Sequence, residues 1–300
     1  MNVIDYVFQQ LVNAVSLGSL YALIAVGLSL VFGILNLINF AHGDMMMVGA
    51  FAALLLESAG VPFPLALLGG VVFGGAAGFV MERAAFRPVR GAPDVTMLLT
   101  SLGVTYILEN LGILLFSASP RNFPLPVWLG HVYKLAGGRI TFTNINLLTL
   151  VFSVLAFLFL YWFVTRTGVG LGMRATAEDL VAARLVGVRV NLVVVVAFVL
   201  ASAFAGLAGL LWAAQVGVAY PLMGFTPMLK SFVAAIIGGF GTIEGALLGG
   251  YVLGALEIAI VAFLPPSVSP YRDALVFALL IVLLLFRPGG IINVRREVKL

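Results

Sequence analysis

The sequence predicts an all-α fold, a polytopic integral membrane helix bundle of about 8 transmembrane segments, two of them broken or short. Three observations predict it. Of the 300 residues, 62% are hydrophobic and only 9% charged, whereas a soluble domain carries about 25% charged residues. The apolar residues come in runs long enough to cross a ~30 Å hydrocarbon core, where only helices or closed barrels satisfy their own backbone. The runs are separated by short segments that hold most of the arginines. With no cysteine, disulfides, thiolate catalysis and cysteine-ligated metals are excluded, and no basic–aromatic block points to nucleic acid.

Taken in order, the N-terminal MNVIDYVFQQ lacks the basic start of a secretory signal, so Leu11–Phe32 is expected to be a retained span. A polar break, GILNLINFAHGD, leads into the short segment Met45–Leu56. Pro64–Phe86 and Val95–Phe116 follow, then a loop over about 117–144 with prolines at 120, 124 and 126. Ile145–Val164 and Asn191–Gln215 come next. Met228–Gly239 is again short and passes through GFGTIEG into Ala246–Leu264, and Tyr271–Phe286 is last. About twelve helical residues rise only ~18 Å, too little to span. Paired breaks in the two halves of a chain point to a transport pathway between internal repeats, although two ordinary interfacial turns would read the same way. Glycines at helical spacing, Gly70, Gly74 and Gly78, then Gly245, Gly249, Gly250 and Gly254, predict close helix packing.

Arginine and lysine positions set the orientation. The larger set comprises Arg83, Arg87, Arg90, Arg166, Arg174, Arg184, Arg189, Arg287, Arg295, Arg296 and Lys299, and belongs in the cytoplasm. The smaller set is Arg121, Lys134, Arg139, Lys230 and Arg272. The loops near 83–94 and 166–190 are therefore expected to be cytoplasmic and 117–144 external.

No P-loop, zinc-protease helix or nucleophile elbow is present, and His42-Gly43-Asp44 lacks the second in-span carboxylate of an aspartyl protease. Asn36, Asn39, His42 and Asp44 form the densest polar group near the membrane. Buried polar groups in lipid usually face a cavity or a partner, so these residues read as a pathway lining, and Asp44 reads equally as the N-cap of the helix after it. Glu109, Asn110 and Glu257 lie inside apolar runs with no Lys or Arg expected at matching depth, and suit either a pathway or a structural contact. Gly172–Asn191 is expected to be one amphipathic helix, with Ala177, Leu180, Val181, Arg184 and Leu185 on one face, Glu178 and Asp179 early, Arg184 and Arg189 late, and Gly187 as its stop. It would dock on a cytoplasmic partner or lie at lipid headgroups.

Several stretches carry a resemblance: LGSLYALIAVGLSLVFGILNLINFAHGD, ERAAFRPVR, ATAEDLVAARLVGV, KSFVAAIIGGFGTIEGALLGG and VFALLIVLLLFRPGGI. Together they cover nearly the whole chain, which resembles the permease subunits of branched-chain amino acid ABC importers, specifically the shorter LivH-type subunit. The resemblance implies one transmembrane permease domain over 1–300 in the bacterial inner membrane. It implies no catalysis, no metal and no cofactor of the chain's own, ATP-Mg being bound by partner subunits. The implied partners are a second permease of the same family, two cytoplasmic ABC ATPases and an external solute-binding protein. It marks Arg174, Ala177, Glu178, Asp179, Leu180, Arg184 and Gly187 as an ATPase-coupling helix, although the Ile-x-Leu-Pro of the longer importer signature is missing downstream of Gly187. Asn36, Asn39, His42, Asp44 and Glu109 are the expected substrate pathway. Urea, short amides or another small solute is the alternative cargo, and a stand-alone secondary transporter is the alternative class.

Overall fold

A computed structural model describes residues 3–265, 270–286 and 290–292. The expected cytoplasmic charges Arg287, Arg295, Arg296 and Lys299 lie outside the described residues.

Helix α1, Val3–Leu35, is 33 residues long and rises ~50 Å. It is buried on nearly every side from Ser16 to Ile34 and forms the axis of the bundle. It ends where Asn36 adopts φ 52, a left-handed conformation that asparagine tolerates better than most residues. After this break come α2, His42–Ser58, and a tight turn through Gly60, and then α3, Phe63–Met81, which continues as a π-helical turn over Glu82–Phe86. Helices α4, Asp94–Phe116, and α5, Asn144–Arg166, have few buried positions and lie at the periphery. Two short helices follow, α6, Gly168–Glu178, and α7, Leu180–Leu185. The long buried helix α8, Val190–Val216, is followed by α9, Phe225–Gly239, α10, Ile243–Phe263, and α11, Arg272–Phe286.

Among the described residues, six helices are long and apolar enough to cross a membrane: Val3–Leu35, Phe63–Phe86, Asp94–Phe116, Asn144–Arg166, Val190–Val216 and Ile243–Phe263. The remaining expected segments are shorter. Helices α2, α9 and α11 have 17, 15 and 15 residues, and so rise only ~22–26 Å.

The long helices pair through glycine. Gly18 on α1 meets the Tyr251 backbone, and Gly250 and Gly254 on α10 meet Ala22 and Gly18. On the other side Gly70, Gly74 and Gly78 of α3 face Ser202 and Gly206 of α8. Small residues let these backbones approach closely where lipid supplies no hydrophobic drive for association.

The two pairs are related. Helices α1, α2 and α3 form a long helix, a break, a short helix, a tight turn and a long helix, and α8, α9 and α10 repeat that order. Helix α1 packs on α10 as α8 packs on α3, and each short helix packs on the long helix that follows it. Gly43 at the start of α2 backs onto Gly224 just before α9. From this junction, α2 runs to the turn at Gly60 and α9 to the opposite end of the bundle, where Gly241 meets Gly33. The main-chain N–H groups of Ile291 and Ile292 then bind the carbonyls of Ile237 and Gly238 at 2.6 and 2.9 Å, satisfying acceptors that the end of α9 leaves open.

The segment expected as a loop at 117–144 holds two small sheets. Strand β1, Arg121–Asn122, pairs antiparallel with β4, Val218–Ala219, and β2, Val132–Leu135, pairs with β3, Ile140–Thr143, as a hairpin. They cap one end of the bundle. Arg87, Arg90, Arg166 and α7 sit at the other.

Candidate pathway and coupling sites

Of the polar residues at the first break, Asn39, His42 and Asp44 are brought into the core, where they separate, and Asn36 stays exposed. His42 is 1% exposed, and its Nε2–H donates to the Ile24 carbonyl of α1 at 3.2 Å. Asp44, two residues on, points away from it, since positions i and i+2 on a helix do not share a face. It comes within electrostatic reach of Glu109 and Thr105 on α4. Asn39 is buried, its amide 4.0 Å from the Met81 sulfur. Oδ1 of Asn39 and Oδ2 of Asp44 are buried with no hydrogen-bond partner among the described residues. Asn36 supplies the bend itself. The expected cap role of Asp44 is corrected: the N-cap is Ala41, with no side-chain cap bond, and Asp44 sits inside the first turn. There its carboxyl still lies at the positive end of the helix dipole. Glu109 is half-buried, and Asn110 is exposed and donates to its own helix at Tyr106.

The expected amphipathic helix at 172–191 is also corrected. Asp179 is extended (φ −157, ψ 112) and breaks the segment into α6 and α7. Its carboxylate oxygen Oδ1 accepts from the N–H groups of Val181 and Ala182 at 2.8 and 2.9 Å, capping α7. An aspartate whose side chain can satisfy the first N–H groups of a new helix favours starting one over continuing the old one. Gly187, at φ +87, ends α7. Ala177 and Glu178 are the exposed end of α6, and Leu180 and Arg184 lie on α7, so the single face expected from periodicity is folded into an elbow. Arg174 is exposed and reaches the Thr165 carbonyl at 3.5 Å. Val181, Leu185 and Val186 stand out from the elbow, Leu185 being 83% exposed.

Two further clusters escape sequence reasoning. In the first, Glu82 on the π-helical turn forms an ion pair with Arg90, whose Nη1 donates to Asn191 Oδ1 at 2.8 Å on the first turn of α8. Burial holds the Arg90 guanidinium below the ordinary arginine range, and the adjacent Glu82 carboxylate works against that. The ERAAFRPVR stretch thus ties the end of α3 to the helix that follows the elbow. The signal was a lone glutamate at the end of an apolar run with arginines one turn beyond.

In the second, Lys230 of α9 is 3% exposed and lies inside the bundle, not in a loop with Arg121, Lys134 and Arg139 as its charge suggests. Its Nζ lies 2.9 Å from Glu257 Oε1 and 2.8 Å from Asp273 Oδ1. Arg272 Nε reaches the same two oxygens at 3.2 and 3.3 Å. Tyr21 donates its hydroxyl to Glu257 Oε2 at 2.7 Å. Glu257 therefore has two basic partners at its own depth, which corrects the expectation that it has none. A lysine five residues into the apolar segment FTPMLKSFVAAIIGG was the available signal.

Two interlocked triplets of helices, with short helices that start side by side in the interior, define a polytopic helical membrane permease. Among solved structures, PsaBC from Streptococcus pneumoniae in complex with Fab has a similar fold, with a TM-score of 0.50 at 12% identity, over 91% of this chain and 90% of that one. Residues 10–284 match the family described as branched-chain amino acid transport system / permease component, and the chain belongs to that family. It is 35% identical to the high-affinity branched-chain amino acid transport system permease protein BraD of Pseudomonas aeruginosa, over 99% of this chain and 98% of that protein. It is also 35% identical to the permease LivH of Escherichia coli K12, over 98% and 97%.

Proposed function

We propose that the chain is the LivH-type permease subunit of an ATP-driven importer, carrying branched-chain amino acids across the bacterial inner membrane. ATP hydrolysis belongs to separate ATPase subunits. The observation that carries the reading is the elbow at Asp179. It presents Val181, Leu185 and Val186 to solvent beside Glu178 and Arg184, at the arginine-rich end that the positive-inside rule assigns to the cytoplasm. An apolar knob rimmed by charge suits a groove on a protein partner. The partners are two cytoplasmic ATPases on the elbows, a second permease of the family beside this one and an external solute-binding protein over the capped end.

In this arrangement α2 and α9 act as half-spans that bring the number of membrane-entering segments to that expected from the sequence. Asn36, Asn39, His42, Asp44 and Glu109 line or brace the pathway around the Gly43–Gly224 junction. Closure of the ATPase dimer moves the elbow. Through the Arg90–Asn191 and Glu82–Arg90 contacts, that motion reaches α8 and α3 together, switching the bundle between outward-open and inward-open states.

Co-purification from detergent with co-expressed ABC ATPase subunits tests the reading. The wild-type chain is expected to retain an ATPase, and Glu178→Arg or Leu185→Glu to release it. A wild-type chain that retains none overturns the importer reading.

A further inference from the structure

The charges Lys230, Glu257, Arg272 and Asp273 are more than an interhelical tie, because they form one wall of a cavity. The space measures about 190 Å³, and its other walls include Tyr21, Trp212, Tyr220 and Met223. Typical drug-sized ligand sites occupy roughly 300–1,000 Å³, so this one suits a smaller guest. Lys230 and Glu257 are at its buried end, and Arg272 and Asp273 are about half exposed at its mouth. The residue just past the Gly43–Gly224 junction, Phe225, starts α9, and Thr226 and Pro227 line the same cavity.

Building on the importer reading, we propose that this cavity is a cargo site for the zwitterion of an aliphatic α-amino acid. The ammonium group would bind the half-exposed Asp273 carboxylate at the mouth, since Lys230 already fills the space between Glu257 and Asp273, the carboxylate would bind Arg272, and the side chain would rest on Trp212, Tyr220 and Met223. Charge balance selects this class. The cluster holds two cations and two anions, so a zwitterion enters without leaving net charge in a low-dielectric site, whereas a lone anion or cation would unbalance it. Arg272 meets Glu257 and Asp273 through Nε, and its guanidinium, half exposed at the mouth, presents the planar fork that suits a carboxylate. The aromatic and thioether wall gives an apolar side chain area and adaptability. As a mere tie between helices, the cluster would be replaceable by packed apolar residues at little or no loss of stability, and it would need no cavity beside it.

Trp212 is the reporter. In the assembled importer, Trp128→Phe and Trp162→Phe leave it as the sole tryptophan of this subunit, and the partner subunits are masked by incorporating a fluorinated tryptophan into this chain alone. Titration with L-leucine is expected to shift its 19F resonance saturably. Arg272→Gln and Asp273→Asn are each expected to raise the half-saturating concentration at least tenfold, and leucinol, which lacks the carboxylate, is expected not to compete. Both variants are read only as assembled complexes, and the half-exposed Asp273 serves where Arg272→Gln does not assemble. An unresponsive Trp212, or a half-saturation unchanged by both substitutions, overturns the proposal. If leucine uptake by the wild-type complex persists in either case, the importer reading stands. Loss of ATPase binding by the wild-type chain would instead sink that reading first.

Discussion

The two helix triplets share a layout and differ in what they bury. In the first, α2 carries its polar groups on diverging faces, His42 toward α1 and Asp44 toward α4, and buried oxygens of Asn39, Asp44 and Glu57 lack a partner among the described residues. In the second, α9 carries Lys230 into a closed square of charges with Glu257, Arg272 and Asp273. The same backbone solution therefore supports two arrangements of ionisable groups, one with a buried carboxylate oxygen left unpartnered and one with its charges paired among the described residues. Underpaired buried groups are costly and gain from a change of partner, whereas paired charges resist the loss of any one member. That contrast suits a half that reorganises around α2 and a half that holds a balanced site on α9.

The largest effect is expected at the junction shared by both triplets. Any Cβ on Gly224 would run into the Gly43 backbone, so Gly224→Val should cost ~4 kcal/mol or more and yield no monodisperse protein by size exclusion. A well-assembled variant would show that the halves do not meet there. Next, Lys230→Met alone should cost ~3–5 kcal/mol by leaving buried acid uncompensated. Lys230→Met combined with Glu257→Met should recover much of it, since Arg272 and Asp273 remain as a balanced pair. Thermal unfolding of the two variants in detergent measures this, and additivity would show that the square is not coupled. In the first triplet, His42→Phe removes one hydrogen bond to Ile24 and should cost only ~1–2 kcal/mol, a smaller loss than Lys230→Met in the same assay. The smallest effect is expected at the elbow. Asp179→Ala deletes the α7 cap for ~1 kcal/mol, with little change in melting but a several-fold loss of retained ATPase. Equal retention would mean that the elbow geometry is not what the ATPase reads.

Much of the bundle was legible along the chain. The apolar runs located the long helices, and the glycine spacing at Gly70, Gly74, Gly78, Gly250 and Gly254 marked the faces on which α3 and α10 pack. The polar breaks marked both short helices, because each interrupts a run at a fixed place. Other features were not legible. Periodicity drew one helix through 172–191, since it registers which faces are apolar but not whether a side chain caps its own backbone, as Asp179 does. The cap assigned to Asp44 failed because cap preference is a statistical property of residue type, whereas the chain turns into α2 already at Ala41 and leaves Asp44 inside the first turn.

By itself the sequence determined the class: a helical membrane protein with paired interruptions and a polar segment between spans. These follow from hydrophobicity and backbone hydrogen bonding, which act locally along the chain. Only the tertiary structure decided that Lys230, Glu257, Arg272 and Tyr21 share one site, that Glu82 holds Arg90 against Asn191, and that the two short helices begin side by side. Each joins residues from separate helices, and a charge in an apolar run signals a partner without naming it, because the partner is chosen by how the helices pack in three dimensions.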